Sequence, residues 1–290
     1  MSETTENIND RLIDELIRLA FAEDIGDGDH TTLSAVPETA KGKVRLLIKD
    51  EGVLAGVEIA ERIFHAFDPE LLVTVLIKDG AEVKYGDVAF TVEGKVRSLL
   101  QTERLVLNVM QRMSGIATVT RKYVKQIEGT GARVLDTRKT TPGMRILEKE
   151  AVRIGGGTNH RIGLFDMILL KDNHIDFAGS IPKAIVNAKQ YLWTLGKDLP
   201  IEIEVRNLDE LQQVIDTGGV NRIMLDNFDV PTTRRAVELV AGRYEIESSG
   251  GITLDTIRSY AETGVDFISV GALTHSVKSL DMSLKAETKK

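Results

Sequence analysis

The sequence contains no cysteine and no long run of apolar residues. The absence of cysteine excludes disulfides, thiolate nucleophiles and cysteine-ligated metal sites. No apolar stretch approaches the roughly 20 residues that a membrane-spanning helix needs. The first ten residues, MSETTENIND, are polar and acidic and lack the basic and apolar segments of a secretory signal. We therefore expect a cytoplasmic protein without a membrane partner.

Two catalytic patterns are missing as well. No GxGxxG motif follows an apolar run, which disfavours a dinucleotide-binding fold. Nothing in the sequence is typical of a Ser-His-Asp triad. The formal net charge of −7 argues against binding to nucleic acid, because such binding requires a basic face.

Positive charge is nevertheless concentrated in one part of the chain. Residues 121–174 contain 11 Lys or Arg and 6 Asp or Glu, a net charge of +5, so the remaining residues carry −7 − 5 = −12. A local excess of positive charge in an acidic chain indicates a pocket for anions. A solvated basic face would produce the same pattern, and charge alone does not separate the two.

The N-terminal part of the chain has the pattern of an α+β domain. Apolar residues at helical spacing predict a helix over 8–23, and the glycines of EDIGDGDHTT predict a loop over 23–32. Residues 43–94 are rich in Val, Ile and Leu and contain turn signals, so they predict strands. One helix near 57–67 interrupts these strands.

A long predicted helix over 97–127, which Ser114-Gly115 could interrupt, marks the domain boundary. We assign one domain to residues 1–115 and a second to residues 116–275. The tail, residues 276–290, contains the alternating segment SLDMSL, which predicts a strand added to the first domain.

The second domain alternates short apolar runs with helix-like stretches, and from residue 203 onward the runs are about 21 to 22 residues apart. This alternation is typical of βα units around a parallel sheet. It favours a small or incomplete α/β barrel over an open doubly wound sheet. The runs are Val134-Leu135, Met167–Leu170, Ile201–Val205, Ile223–Leu225, Tyr244–Ile246 and Phe267–Val270, and the helix-like stretches are 181–195, 208–217, 231–241 and 254–263.

Polar residues or glycines lie at the end of each apolar run. The carboxyl ends of parallel strands form one face of an α/β barrel, and the chemistry of such barrels lies on that face. Six polar strand ends in register therefore predict a site there. The residues are Asp136, Thr137, Arg138 and Lys139; Lys171, Asp172 and Asn173; Glu202 and Glu204; Asp226 and Asn227; Glu247, Ser248, Ser249, Gly250 and Gly251; and Gly271 and Ala272.

Two of these strand ends contain glycine before a helix-like stretch, in ESSGGI and SVGALT. Glycine allows main-chain N–H groups to approach an anion, and a helix N-terminus favours negative charge. A single pair would be a tight turn, but two on the final strands predict a phosphate site.

Four cations predict a carboxylate or phosphate ligand: Arg138, Lys139, Arg161 and Lys171. A structural ion pair is the alternative for Arg138, and a satisfied loop histidine is the alternative for His160. We expect His174 to orient its neighbours. The carboxylates of Glu204 and Asp226 in such a pocket require a metal, a ribose hydroxyl or developing positive charge.

Six segments occur in this order along the second half of the chain: DTRKTTPGMR, EKEAVRIGGGTNHRIGLFDMILLKDNH, IEIEV, IMLDN, ESSGGI and VGALTHS. Together they resemble the quinolinate phosphoribosyltransferases, also called nicotinate-nucleotide pyrophosphorylases (carboxylating). The resemblance is most specific in these segments, but it extends over nearly the whole chain, from AFAEDIGDGDHTT and TERLVLNVMQRMSGIAT to the tail.

The resemblance implies an N-terminal α/β sandwich domain and a C-terminal seven-stranded α/β barrel. It also implies a homodimer, or a higher oligomer, in which the sandwich domain of one subunit covers the barrel mouth of the other. The implied reaction belongs to NAD biosynthesis. Quinolinate and phosphoribosyl pyrophosphate react with Mg²⁺ to give nicotinate mononucleotide, pyrophosphate and CO₂.

The resemblance also implies roles for individual residues. Arg138, Lys139, His160, Arg161 and Lys171 line the quinolinate and phosphate pocket together with Thr137, and Arg104 reaches in from the partner subunit. Glu204 and Asp226 hold ribose hydroxyls or Mg²⁺, and phosphate binds to Ser249, Gly250, Gly251, Val270, Gly271 and Ala272. The catalytic residues among these are Lys139, Lys171, Glu204 and Asp226.

Three rival functions remain at this stage. One is a phosphoribosyltransferase of the same fold with another acceptor, such as nicotinate, or the homologue associated with molybdate transport. A second is an aldolase-type barrel in which Lys171 forms a Schiff base, which requires a dry pocket. A third is a protein that binds a phosphorylated metabolite without turnover.

Overall fold

The computed structural model describes the main chain of residues 3–287 and the side chains of residues 9–287. Residues 1, 2 and 288–290, at the two ends of the predicted first domain, lie outside the described residues, as does the start of the segment that we compared with a secretory signal. Within residues 3–287, no helix combines the length and the apolar character needed to cross a bilayer.

The described residues form the following elements in chain order. The first are α1 (Glu3–Ile25), α2 (His30–Ala35), β1 (Lys41–Ile48), β2 (Gly52–Val53), α3 (Val57–Phe67), β3 (Leu72–Val75), β4 (Glu82–Val83), β5 (Val88–Lys95) and α4 (Val96–Gln126). Next come β6 (Arg133–Leu135), α5 (Arg145–Ile154), β7 (Ile168–Leu170), α6 (Asp172–Ala178), α7 (Ile181–Leu195), β8 (Ile201–Val205) and α8 (Leu208–Thr217). The last are β9 (Arg222–Asp226), α9 (Val230–Val240), β10 (Glu245–Ser249), α10 (Ile257–Ala261), β11 (Phe267–Ser269), α11 (Ala272–His275) and β12 (Met282–Ala286).

The chain forms two compact units. The second unit consists of Lys122–Lys139 and Gly157–Ala272, and the other described residues form the first. The change of unit therefore lies inside α4, six residues after the boundary that we expected at residue 115, and the segment Thr140–Gly156 groups with the first unit. One reason is an ion pair between Glu148 of α5 and Arg112 of α4, in which Oε1 lies 2.8 Å from Nη2.

An antiparallel sheet with the order β12-β1-β5-β3 forms the base of the first unit. The tail strand β12 pairs with β1 along five residues. Helix α3 buries Ala60, Ile63 and Phe64, and the rings of Phe64 and Phe90 meet edge to face at 5.9 Å. This apolar contact joins the helix to β5 and forms part of the core of the unit.

A parallel sheet with the order β6-β11-β10-β9-β8-β7 organises the second unit. Residues at alternate positions share a face, because successive side chains of a strand point to opposite sides. One face is apolar and includes Ile203, Ile223 and Ile246, each at most 3% exposed. The other face bears carboxylates from β8, β9 and β10 and the guanidinium of Arg222 from β9.

The resemblance implies seven strands, whereas the described part of this sheet has six and one further bridge. Thr158 pairs in parallel with Leu135, and its N–H donates to the Val134 carbonyl at 2.8 Å. Three glycines, Gly155–Gly157, directly precede Thr158. Glycine is unfavourable in strands, so the seventh strand is reduced to a single residue.

Several predicted boundaries differ from the structure, among them the following three. Helix α4 is continuous through Ser114-Gly115. Gly115 does not interrupt the helix but allows the tail to pack closely against it, because a Cβ there would overlap the carbonyl oxygen of Lys278. The predicted loop over 23–32 is shorter, since α2 already starts at His30, where the Asp29 side chain accepts the Thr32 N–H. Helix α10 starts only at Ile257.

Candidate active site

The sheet of the second unit collects most of the expected site residues at the carboxyl ends of its strands. Asp226 and Ser249 end neighbouring strands and are register partners. Glu204 is the register partner of Met224. Met224 lies two positions before Asp226 on the same strand, so Glu204 and Asp226 share one face of the sheet. The register thus places these polar side chains on one face and near one edge.

Two of the expected cations, Arg138 and Lys139, are exposed directly after β6. The Thr137 hydroxyl accepts the N–H of Lys139 at 3.0 Å, so Thr137 shapes the turn that presents these cations. A local side-chain contact of this kind is typical of a short turn after a strand.

Lys171 follows β7, and its Nζ lies 3.2 Å from Oε2 of Glu204. The side chain of Lys171 is 48% exposed, so it does not lie in the dry pocket that the Schiff-base alternative requires. The N–H of Lys171 donates to Nδ1 of His174 at 2.9 Å. His174 therefore orients its neighbour, as we expected.

Arg161 is buried, with 9% of its surface exposed. Its guanidinium donates to the Met167 carbonyl at 3.2 Å. Burial and the nearby charge of Arg138 lower the pKa of Arg161. Two guanidinium groups that repel each other at a strand end form a place where an anion is stabilised.

The turns that follow β9 and β10 both contain residues with positive φ angles. Asn227 has a φ of 56°, and Gly250 and Gly251 have φ angles of 104° and 59°. The Asn227 N–H donates to the Ser249 carbonyl at 2.8 Å, and its side-chain amide donates to Asp226 at 2.9 Å. Asn227, which we had not assigned a role, therefore fixes the ends of both strands.

The turn after β11 differs in one respect from what we expected of a phosphate site. The Val270 N–H donates to the Leu135 carbonyl at 2.9 Å within the sheet. Any main-chain phosphate contact of this turn therefore comes from Gly271 or Ala272. Helix α11 starts at Ala272, whereas five residues separate Gly251 from Ile257, the start of α10, so only one of the two glycine turns leads directly into a helix.

His160 lies among buried acidic groups rather than among the exposed cations. Its Nε2 lies 2.9 Å from Glu202 and 3.4 Å from Glu247, both of which are fully buried. Its Nδ1 accepts the main-chain N–H of Arg161 at 2.7 Å, and the main-chain N–H of His160 donates to the Asp136 carboxylate at 2.8 Å. Both ring nitrogens of His160 therefore face groups of the protein.

This cluster retains protons at neutral pH. Burial opposes ionisation of His160, but Glu202 and Glu247 outweigh it and raise its pKa to about 9. Burial and then the charge of Glu247 raise the pKa of Glu202 to about 7. Because the Arg161 N–H points at Nδ1, we favour the arrangement in which His160 carries one proton, on Nε2, and Glu202 carries the other.

Glu202 and Glu247 were expected among the polar residues at the strand ends, but no role was predicted for either. The signal was present in IEIEV and EIESS, in which alternation places Glu202 on the face of Glu204 and Glu247 on the face of Ser249. Only the tertiary structure shows that His160 lies between these two strands.

Arg104, the residue expected to act on a partner subunit, belongs to the first unit. It is exposed on α4. The remaining expected residues belong to the second unit.

Comparison with known proteins assigns both parts of the chain to one family. A family model described as "Quinolinate phosphoribosyl transferase, N-terminal domain" matches residues 29–114, and its counterpart, "Quinolinate phosphoribosyl transferase, C-terminal domain", matches residues 116–285. The chain is 44% identical over 288 residues to quinolinate phosphoribosyltransferase (decarboxylating) 1 of Nicotiana glauca, an alignment that covers 94% of this chain and 82% of the relative.

A bacterial relative and a solved structure agree with this assignment. The probable nicotinate-nucleotide pyrophosphorylase (carboxylating) of Bacillus subtilis is 42% identical over 277 residues, with 96% of this chain and 94% of the relative covered. The structure of the nicotinate-nucleotide pyrophosphorylase from Francisella tularensis superposes with a TM-score of 0.89 at 43% identity, covering 96% of this chain and 97% of that one. The chain therefore belongs to the quinolinate phosphoribosyltransferase family.

Proposed function

We propose that this protein transfers the phosphoribosyl group of phosphoribosyl pyrophosphate to the nitrogen of quinolinate, with loss of the 2-carboxylate as CO₂. The observation that carries the proposal is the set of cations at the strand ends of the second unit, in a chain that belongs to this family. Quinolinate is a planar dicarboxylate, and arginine binds planar carboxylates with two parallel hydrogen bonds.

The two arginines, Arg138 and Arg161, are the groups that we assign to the carboxylates of quinolinate. The nearby charge of Arg138 lowers the pKa of Arg161, so a bound dianion would relieve their repulsion. His160 contributes through its contact with the Arg161 main chain.

The phosphates of the second substrate require further positive or main-chain contacts. We assign the pyrophosphate to Lys139 and Lys171, which act as point charges. We assign the 5-phosphate of the ribose to the main-chain N–H groups of Gly250 and Gly251 with Ser249, because consecutive positive φ angles at a turn create a concave set of donors. Gly271 and Ala272 extend this site.

Mg²⁺ belongs to the proposal as a cofactor, and the donor set suits it. Glu204 and Asp226 supply carboxylate oxygens on one face of neighbouring strands, and Mg²⁺ in such enzymes is held by one or two carboxylates while substrate phosphates supply further oxygens. When bound, Mg²⁺ would neutralise charge on the pyrophosphate.

The remaining chemistry is electrostatic. The carboxylates of Glu204 and Asp226 favour the positive charge that develops at the anomeric carbon as pyrophosphate departs, and Lys139 and Lys171 favour the charge on the leaving group. The quinolinate nitrogen then forms the new bond. Its pyridinium product loses CO₂, because the positive ring nitrogen stabilises the electron pair that is left on C2, and C2 then takes up a proton from solvent. No protein nucleophile is required, which suits a chain without cysteine.

We further propose that the enzyme acts as a homodimer, or a higher oligomer, to whose active site the partner subunit contributes its Arg104. The test is complementation between two inactive variants, Arg104→Ala and Lys171→Ala. If Arg104 acts across the interface, mixed dimers contain one intact site and regain part of the activity. No recovery in mixed dimers would contradict this assignment. The expected cytoplasmic location stays a prediction.

The direct test of the proposed function is an assay with Mg²⁺, phosphoribosyl pyrophosphate and either quinolinate or nicotinate, in which the mononucleotide and CO₂ are followed together. We expect product and CO₂ from quinolinate only. Arg138→Ala and Arg161→Ala should abolish activity or raise the KM for quinolinate while leaving the circular dichroism spectrum unchanged, whereas Arg235→Ala, at an exposed position of α9, serves as the control. Product from nicotinate without CO₂, or wild-type kinetics in both site variants, would contradict the proposal.

A further inference from the structure

Two members of the buried group formed by His160, Glu202 and Glu247, namely the two glutamates, have no role in the chemistry proposed above. Glu202 belongs to β8 and Glu247 to β10, and β9 lies between these strands. The His160 ring reaches both carboxylates, at 2.9 and 3.4 Å. We call this group the buried triad.

The buried triad is costly to assemble from the standpoint of stability. Both carboxylates are fully buried, and removing an ionised group from water requires a compensating partner. Part of the compensation comes from Arg222 of β9, whose Nη1 lies 3.5 Å from Glu247. The guanidinium of Arg222 also lies over the Phe267 ring, 3.9 Å from its centre.

Charge balance favours a protonated triad over a metal site. The three facing ligand atoms lie within 4.8 Å of one another, close enough for a cation. However, the positive charge of Arg222 and the retained protons already neutralise the two carboxylates. A divalent cation would add charge beside Arg222 without a further anionic ligand.

The triad connects to the proposed substrate site through the main chain. Nδ1 of His160 accepts the Arg161 N–H at 2.7 Å, so the orientation of the ring determines the orientation of the peptide that leads into Arg161. Asp136 holds the other side of this peptide segment by accepting the His160 N–H at 2.8 Å. The guanidinium of Arg161 is thereby carried by a segment that is fixed at the main-chain nitrogens of His160 and Arg161 and at the His160 ring.

We infer that Glu202 and Glu247 are positioning residues of the reaction, which hold the His160 ring and thereby aim the Arg161 guanidinium at a carboxylate of the acceptor. The inference rests on the proposed function, because it takes the acceptor to be a dicarboxylate. Neither glutamate touches the substrate. Their effect is therefore specific for the acceptor, and phosphoribosyl pyrophosphate, which we assign to other residues, is bound as before.

The test compares Glu202→Gln and Glu247→Gln with a matched control on β10, Glu245→Gln. Glu245 also contacts Arg222, at 3.0 Å, but it is exposed and does not reach His160. We expect each triad variant to raise the KM for quinolinate by about tenfold or more, because a misplaced binding group loses this much or more. The KM for phosphoribosyl pyrophosphate should change less than about twofold, and the control variant should match the wild type in both.

Calorimetric binding of quinolinate to the same proteins separates this inference from the proposed function. If the wild type turns quinolinate over and the triad variants bind and convert it as the wild type does, the inference fails and the function stands. If the wild type shows no turnover, the proposed function fails, and weaker quinolinate binding by the triad variants would still support the positioning role. Equal losses for both substrates would overturn it in favour of general destabilisation.

Circular dichroism and thermal unfolding report whether the variants fold. Should a glutamine variant not fold, Glu202→Asp and Glu247→Asp keep the carboxyl group but withdraw it from the ring. The same split between the two KM values is expected for them, with a smaller change than in a folded glutamine variant. A folded aspartate variant with wild-type KM for quinolinate would overturn the inference.

Discussion

The glycine turn after β10 allows a prediction in which two neighbouring residues act as each other's control. Gly250 and Gly251 both have positive φ angles, 104° and 59°. Around Gly251, no atom lies within 4 Å of an added Cβ. Around Gly250, the same Cβ would overlap Oδ1 of Asn227 and would lie 3.0 Å from the Asn227 main-chain nitrogen.

The two alanine variants should therefore differ in stability. Gly251→Ala places alanine in the left-handed region, which costs about 1–2 kcal/mol. Gly250→Ala carries a comparable or larger conformational cost, because its φ lies farther from that region, and adds an overpacking cost of about 1–3 kcal/mol. We expect Gly250→Ala to lose a total of about 2–5 kcal/mol in the free energy of unfolding.

Denaturant unfolding monitored by circular dichroism measures this difference, provided that the free energy of unfolding falls with denaturant concentration at the same slope in both variants. A second readout is the KM for phosphoribosyl pyrophosphate. Because Asn227 would have to move away from Gly250, its contact with Asp226 should be lost, and Gly250→Ala should raise this KM more than Gly251→Ala does. Equal losses of stability in the two variants, or a larger loss in Gly251→Ala, would refute the reasoning.

Three further predictions follow from buried or paired charges. Glu148→Gln removes the charge from a fully buried partner of Arg112 and should lower the free energy of unfolding by about 3 kcal/mol in calorimetry, with both KM values unchanged. The acidic neighbours raise the pKa of His160 to about 9, above an unfolded value near 6.5, so between these pH values the His160–Glu202 pair holds one proton more than the unfolded chain does. The stability that this proton contributes, about 3 kcal/mol, is complete below pH 6.5 and is lost as the pH rises through 9, so His160→Gln should flatten this part of the stability profile. Lys171→Met should lower kcat by about a hundredfold while the protein stays folded, because a charge opposite the leaving group is lost.

Each of these predictions has an outcome that contradicts it. A Glu148→Gln protein as stable as the wild type would show that the buried pair is not stabilising. Identical slopes of stability against pH in the wild type and His160→Gln would mean that Glu202 and Glu247, whose carboxylates face the His160 ring, do not shift its titration. Undiminished kcat in Lys171→Met would remove this lysine from the catalytic residues.

Local patterns predicted a large part of the fold. Helices α3, α7 and α8 start and end where the apolar spacing indicated, since an amphipathic stripe with clear caps leaves little freedom. The apolar runs that alternate with helix-like stretches predicted the parallel sheet, because this alternation is typical of βα units. The continuity of α4 could not be read from the sequence, because the role of Gly115 depends on the tail, which is more than 160 residues away along the chain.

The candidate site likewise contains residues that local patterns predicted and contacts that only the folded sheet shows. Polar residues at strand ends are visible as soon as the strands are recognised, and this is how Arg138, Lys171 and Asp226 were found. The surroundings of His160 were not visible, because its partners Glu202 and Glu247 come from strands about 40 and 90 residues further along the chain, and their meeting is a property of the folded sheet.

The central claim is that the cationic strand ends accept a dicarboxylate and release one carboxylate as CO₂. The most direct measurement uses quinolinate labelled in its 2-carboxylate and compares the label released as CO₂ with the nicotinate mononucleotide formed. We predict a ratio of one to one that depends on phosphoribosyl pyrophosphate. Mononucleotide that retains the label, or no product at all under these conditions, would contradict the account.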